Sequence, residues 1–171
     1  RLVLDRTLLA ALDHFGMPFE VLDLAGGKLT AEVLQSHSAL VLAQSGLGHR
    51  LSEEQVAAIK EAIEAGMGLV NFDGILSDYP TAYRQMLGVE SAAAARTASV
   101  AIASNTHPIT HTYDAGQVFR LVRPVAFAAL DRAPRGEILV RSEENLPAVF
   151  ALGLGKGRIV QFTLSAEFWL P

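Results

Sequence analysis

The residues that could do chemistry in this chain are few, and they are carboxylates and imidazoles. Asp73 stands in "GLVNFDGILSDYP" (68–80), where a strand runs into a sharp turn. A carboxylate at that place could act as a general base or orient a sugar hydroxyl, because α/β folds bind ligands beyond the carboxyl ends of their strands. Asp-Gly is equally good turn chemistry, and Asp caps a following helix well. His107, in "SNTHPITHT", could pair with Asp73 as a base. It could as well be a turn residue, its backbone set by Pro108. His111 lies four residues on, the spacing of two metal ligands on one helix face, but Pro108 and the β-branched neighbours argue against a helix, so no metal site is expected.

Two further patterns have simpler explanations. "GLGKGR" (153–158) has the glycines of a phosphate cradle, but its lysine is not followed by Ser or Thr and its glycines lie between two apolar strands. That is a hairpin turn. Glu143 and Glu144 are adjacent carboxylates on a polar turn and would point apart, unlike the paired acids of a glycosidase.

The elements that must position these residues are legible in outline. Leu8, Leu9, Leu12 and Phe15 share a helical face that Gly16 ends. "FEVLDL" (19–24) predicts a short strand, "AGGK" (25–28) a loop, and "TAEVLQSH" a brief helix capped by Thr30. "ALVLAQ" (39–44) is a continuous apolar run, as in a strand covered on both faces. In "LSEEQVAAIKEAIEAGMGLVNF", Ser52 and Gln55 form a capping box, Glu53 and Glu54 occupy the first turn, and Gly66 stops the helix before the next strand. Strand, helix and strand with short connections predict a parallel βαβ unit. "TAYRQMLGV" is a helix ending at Gly88, and "SAAAA" (91–95) reads as a surface connection. Short strands follow, closing with a hairpin around Gly155-Lys156-Gly157.

Composition bounds the function. The chain has 171 residues, 50% hydrophobic and 19% charged, enough for one ordered domain. Net charge is -4, and the Lys and Arg residues are scattered singly, so a nucleic-acid partner is not expected. No apolar run is long enough to span a membrane. There are no cysteines, so a thiolate nucleophile or thiolate metal site is excluded within this chain. No G-x-G-x-x-G follows a strand and no aromatic pair is placed to hold a flavin, so no cofactor is implied. The chain begins at Arg1 and ends in "EFWLP". The expectation is a single domain, 1–171, cut from a longer chain, with localisation not readable.

The order of pieces, "ALVLAQ", then "LSEEQVAAIKEAIEAGMGLVNFDG", then "HPIT", then "PAVFALGLGKGRIVQFTLS", resembles the class I glutamine amidotransferase-like superfamily. The likeness is to its non-amidotransferase branches, the ThuA-like proteins and the trimerisation domain of family 42 β-galactosidases, over residues 7 to 165, and it implies that this chain lacks the family's first strand. It implies an α/β, flavodoxin-like three-layer sandwich with a mainly parallel central sheet and hairpin additions in the C-terminal half. In catalytic members the elbow after "GLVNF" carries a Cys activated by a His-Glu pair. Here that position is Asp73, and no His follows His111, so Cys-based glutamine hydrolysis is ruled out. The resemblance also implies that "QSGLGHR" (44–50) contributes backbone N–H groups to an oxyanion hole, which Gly46 and Gly48 would permit. Gln44, Ser45, Gly46, His49, Asp73 and Gly74 are then the candidate ligand-binding residues, with Arg50 on the same loop. Two functions are weighed. One is a non-catalytic domain for self-association, for contact with other domains of its chain, or for binding a small carbohydrate. The other is a sugar hydrolase or isomerase using Asp73 with His107 or His49.

Overall fold

The computed structural model describes residues 6–24, 29–132 and 134–165. The "AGGK" loop and the "EFWLP" terminus lie outside the described residues.

The βαβ unit forms as the sequence predicts. β1 (Ala39–Leu42) pairs in parallel with β2 (Gly68–Asn71), Leu40 beside Leu69 and Leu42 beside Asn71. Between them runs a helix, Glu53–Ala65, labelled α3 after α1 (Leu8–His14) and α2 (Ala31–Gln35) among the described residues. The Ser52 hydroxyl accepts the Gln55 N–H at 3.2 Å, and the Gln55 side chain accepts the Ser52 N–H at 2.9 Å, so two otherwise unpaired donors are satisfied. Val56, Ile59, Ala62 and Ile63 form the buried stripe. Gly66, at φ +133°, ends the helix with its N–H on the Ala62 and Ile63 carbonyls. Thr30 caps α2 through its hydroxyl. A last short helix, α4 (Thr81–Met86), places Tyr83 and Met86 in the same core.

The remaining strands are β3 (Ala92–Ile102), β4 (Val118–Leu130), β5 (Glu137–Ser142), β6 (Pro147–Leu154) and β7 (Gly157–Phe162). All seven lie in one sheet, ordered β1-β2-β7-β6-β5-β3-β4. The expected mainly parallel sheet is not what forms. Parallel pairing is confined to β1–β2 and β2–β7, and the other four neighbouring pairs are antiparallel. The reason is connection length. A parallel return needs a crossover of a dozen residues or so, usually a helix. After α4 the described chain contains no further helix, and turns such as Gly155-Lys156, between Leu154 and its partner Gly157, permit only antiparallel return.

Two local expectations also change. Ala92–Ala95 are not a surface connection but open β3, paired with Phe127–Leu130. Tertiary pairing overrides the weak strand propensity of alanine there. "FEVLDL" forms no strand: residues 17–23 have no regular structure, and Phe19, Val21 and Leu22 are exposed.

The C-terminal half curls on itself. Beyond β7 the chain continues along β6, with the Thr163 N–H on the Ala148 carbonyl, and then meets β4: Phe127 bridges Leu164, and the Ala128 and Ser165 N–H groups bond Thr163 and Ala126 carbonyls at 2.9 Å. The hydrogen-bonded circuit β7–β6–β5–β3–β4 thus returns to its start. Val100, Val125, Phe127, Ala148 and Leu164, drawn from β3, β4, β6 and the extension of β7, form one core cluster. The larger cluster lies where α2, α3 and α4 meet the sheet.

Candidate functional site

β2 alternates. Leu69, Asn71 and Asp73 are buried, while Val70 and Phe72 are only partly so. One position of this apolar strand and one just beyond it are therefore polar and buried, and each must find partners. Asn71 lies beside Gln161 of β7, and its Nδ2 donates to Gln161 Oε1 at 2.8 Å. Its Oδ1 accepts the Asp73 N–H at 2.9 Å.

Asp73 has no exposed surface. Its Oδ1 accepts the Gly46 N–H at 2.8 Å and the Ile75 N–H at 3.2 Å, and its Oδ2 accepts the Gly48 N–H at 2.9 Å. Its carbonyl accepts the Tyr79 hydroxyl at 2.8 Å and Gln161 Nε2 at 3.4 Å. The two glycine N–H groups of "QSGLGHR" that the resemblance assigns to an oxyanion hole are bonded to this carboxylate. Charge-assisted bonds of this kind are the stronger ones, about 1.5–3 kcal/mol each.

The turn is unstrained: Asn145 is the only described non-glycine residue with positive φ. Close approach is what demands glycine here. A Cβ on Gly48 would stand 2.2 Å from the Tyr79 ring, and one on Gly74 would stand 2.6 Å from the Thr163 carbonyl oxygen. Burial, and then the neighbouring Asp73 carboxylate, push the hydroxyls of Tyr79 and Tyr83 well above the ordinary tyrosine range. The two rings pack 4.9 Å apart.

The other candidates lie on the rim or elsewhere. Gln44 and Ser45 are exposed. His49 is exposed in a 3-10 turn, Gly48–Arg50, with its ring against Gly46. His107 stands beside Glu137, and its Nδ1 accepts the Ile109 N–H at 3.2 Å. The Ser104 hydroxyl holds the Glu137 carboxyl below its ordinary range; desolvation opposes it, and Thr106 and then His107 add to the lowering. His111 bonds the Pro108 carbonyl through Nδ1. Among the described residues no hydrogen bond or ion pair joins His49, His107 or His111 to Asp73. The fold thus brings Gly46, Gly48, Asp73 and Gly74 together and leaves His107 in a separate cluster. Residues missed from sequence are Asn71, Gln161 and Tyr79. The signal for two of them is the repeated "VNF" and "VQF": each places one polar residue between apolar ones, and each is followed by a Phe whose ring stacks on the other, 4.5 Å apart.

The family model described as "ThuA: Trehalose utilisation" matches residues 7–165. The chain belongs to the ThuA family. No curated protein matches this ThuA-family chain significantly in sequence. Among solved structures it is similar to a cytoplasmic protein of Salmonella typhimurium LT2, at 16% identity and TM-score 0.68, over 95% of this chain and 79% of that one. It is similar to a ThuA-like protein of Bacteroides uniformis, at 15% identity and TM-score 0.68, over 98% and 77%. It also resembles part of a β-galactosidase from Rahnella sp. R3, at 16% identity and TM-score 0.52, over 79% of this chain but 21% of that one. At such identities the likeness is one of fold. The same ThuA-type fold therefore occurs as a segment of a glycoside hydrolase.

Proposed function

We propose that this ThuA-family chain is a non-catalytic domain of carbohydrate metabolism that binds a small sugar or takes part in self-association. One observation carries the reading: Asp73, in the turn after β2 that the amidotransferase resemblance equates with a nucleophile elbow, is fully buried, and its carboxylate bonds the N–H groups of Gly46, Gly48 and Ile75. A general base needs access to the proton it removes. An oxyanion hole needs N–H groups free to meet a developing charge. Here both functions are consumed by one internal contact, which ties the loop after β1 to the turn after β2. The family description, trehalose utilisation, supports the carbohydrate context. The competing enzyme reading requires His49 or His107 to reach Asp73, and neither makes that contact among the described residues.

The experiment is a product assay. The chain is incubated with trehalose and related neutral glycosides, and products are followed by NMR, for the wild type and for Asp73→Asn. No turnover is expected from either, and Asp73→Asn is expected to unfold at lower denaturant, by about 1–3 kcal/mol, because an amide N–H₂ would face a backbone donor. Turnover by the wild type that Asp73→Asn abolishes, with the fold intact, would overturn the reading.

A further inference from the structure

We propose that a groove on the outer face of β3 binds a small neutral polyhydroxylated molecule, held between Arg141 and Glu143. This rests on the reading of the chain as a ligand-binding domain and moves the ligand away from the elbow, whose polar groups are already bonded to one another.

The strand register builds the groove. Ala101 of β3 stands between Val118 of β4 and Arg141 of β5. Alternate residues Val100 and Ile102 turn inward and are buried. The outward positions of β3 are therefore small (Ser99, Ala101) and their neighbours on both sides are tall, which leaves a groove of about 460 Å³. That is within the size range of small-molecule sites, ~300–1,000 Å³.

Its polar groups define the ligand. Arg141 Nη1 donates to the Asn145 carbonyl at 2.8 Å, which fixes the guanidinium plane while engaging one of its five N–H donors. The Glu143 N–H bonds Thr97 Oγ1 at 3.3 Å, which anchors the turn that carries its carboxylate, and Oε2 accepts the Ser99 hydroxyl at 3.5 Å, which leaves Oε1 for a ligand hydroxyl. No ion pair joins Arg141 to Glu143 among the described residues, so one wall offers a cationic donor and an anionic acceptor side by side. An anion would meet Glu143 and a cation would meet Arg141. Vicinal hydroxyls satisfy both, accepting from the guanidinium and donating to the carboxylate, while the alanine floor lets a ring lie close to the strand.

The test is a titration of the ¹⁵N-labelled chain with trehalose as the neutral probe and glucose 6-phosphate as the anionic one, followed by amide shifts. Trehalose is expected to shift amides within 99–103 and 141–145. Ala101→Leu, which fills the floor, and Glu143→Ala, on an exposed turn, are each expected to weaken binding about tenfold or more with the melting temperature unchanged. Shifts confined to 44–50 and 73–79, indifferent to both variants, would overturn the groove and leave the ligand-binding reading standing. Glucose 6-phosphate binding about tenfold tighter than trehalose, with the gain lost in Arg141→Ala, would overturn the neutral-ligand assignment. Absence of shifts with either probe would overturn the groove as a sugar site, and the separate product assay would still decide the non-catalytic reading.

Discussion

Gly48 and Asp73, 25 residues apart in sequence, are joined by a 2.9 Å bond from the glycine N–H to the carboxylate Oδ2, and the Tyr79 ring lies where a Gly48 side chain would stand. One glycine thus serves two contacts. Its N–H meets a charge, and its missing Cβ admits the ring whose hydroxyl holds the Asp73 carbonyl.

Gly48→Ala should therefore be costly. The ring is held by the Asp73 carbonyl and by Tyr83, so it cannot simply swing away. We expect a loss of about 1–3 kcal/mol or more in urea unfolding. Gly153→Ala, with nothing within 4 Å of its Cβ, should stay within about 0.5 kcal/mol. Equal effects at the two positions would mean that the ring does not rest on Gly48.

Asn71 and Gln161 should be energetically coupled. Each alanine variant removes the 2.8 Å bond and leaves one buried atom of the other amide short of its partner, at about 1–3 kcal/mol. The double variant should then cost less than the sum, with a coupling of about 0.5–3 kcal/mol in a double-mutant cycle. Strict additivity would contradict the 2.8 Å bond between them.

The buried tyrosines set an alkaline limit. Their folded pKa values are raised above the ordinary 10.0. The neutral hydroxyl is the favoured state in the fold, so this contribution is fully present below pH 10 and is lost as pH rises above it. Phenolate absorbance from Tyr79 and Tyr83 should appear only together with loss of the far-UV signal. In a Tyr79→Phe, Tyr83→Phe variant that coupled rise should vanish. Phenolate formation by either tyrosine in a chain that is still folded would refute the burial described.

The α/β half of the fold was legible because its signals are local. Ser52, Gln55 and Gly66 mark the ends of α3 within one turn of the helix, and "ALVLAQ" and "GLVNF" are strands by run length alone. The family likeness was legible for the same reason, since the pieces keep their order. The candidate site was legible in part. Asp73, Gly46, Gly48 and Gly74 were all singled out from sequence, but as a crevice awaiting a ligand. That the carboxylate and the N–H groups bond to one another is a contact across loops, and no local pattern encodes it.

Sequence alone determined the absence of a thiol, the capped α3 between two parallel strands, the β6–β7 hairpin, and a carboxylate at the elbow. Tertiary structure alone decided the rest. It paired Ala92–Ala95 into β3 against their composition, ran four of six strand pairs antiparallel, closed β4 onto residues 163–165, and turned Asp73 inward. Capping and hairpin turns are settled by residues a few positions apart. Strand partners and buried polar bonds are settled by groups ~25 to 90 residues apart, whose pairing follows from what else must be covered and satisfied when the chain is compact.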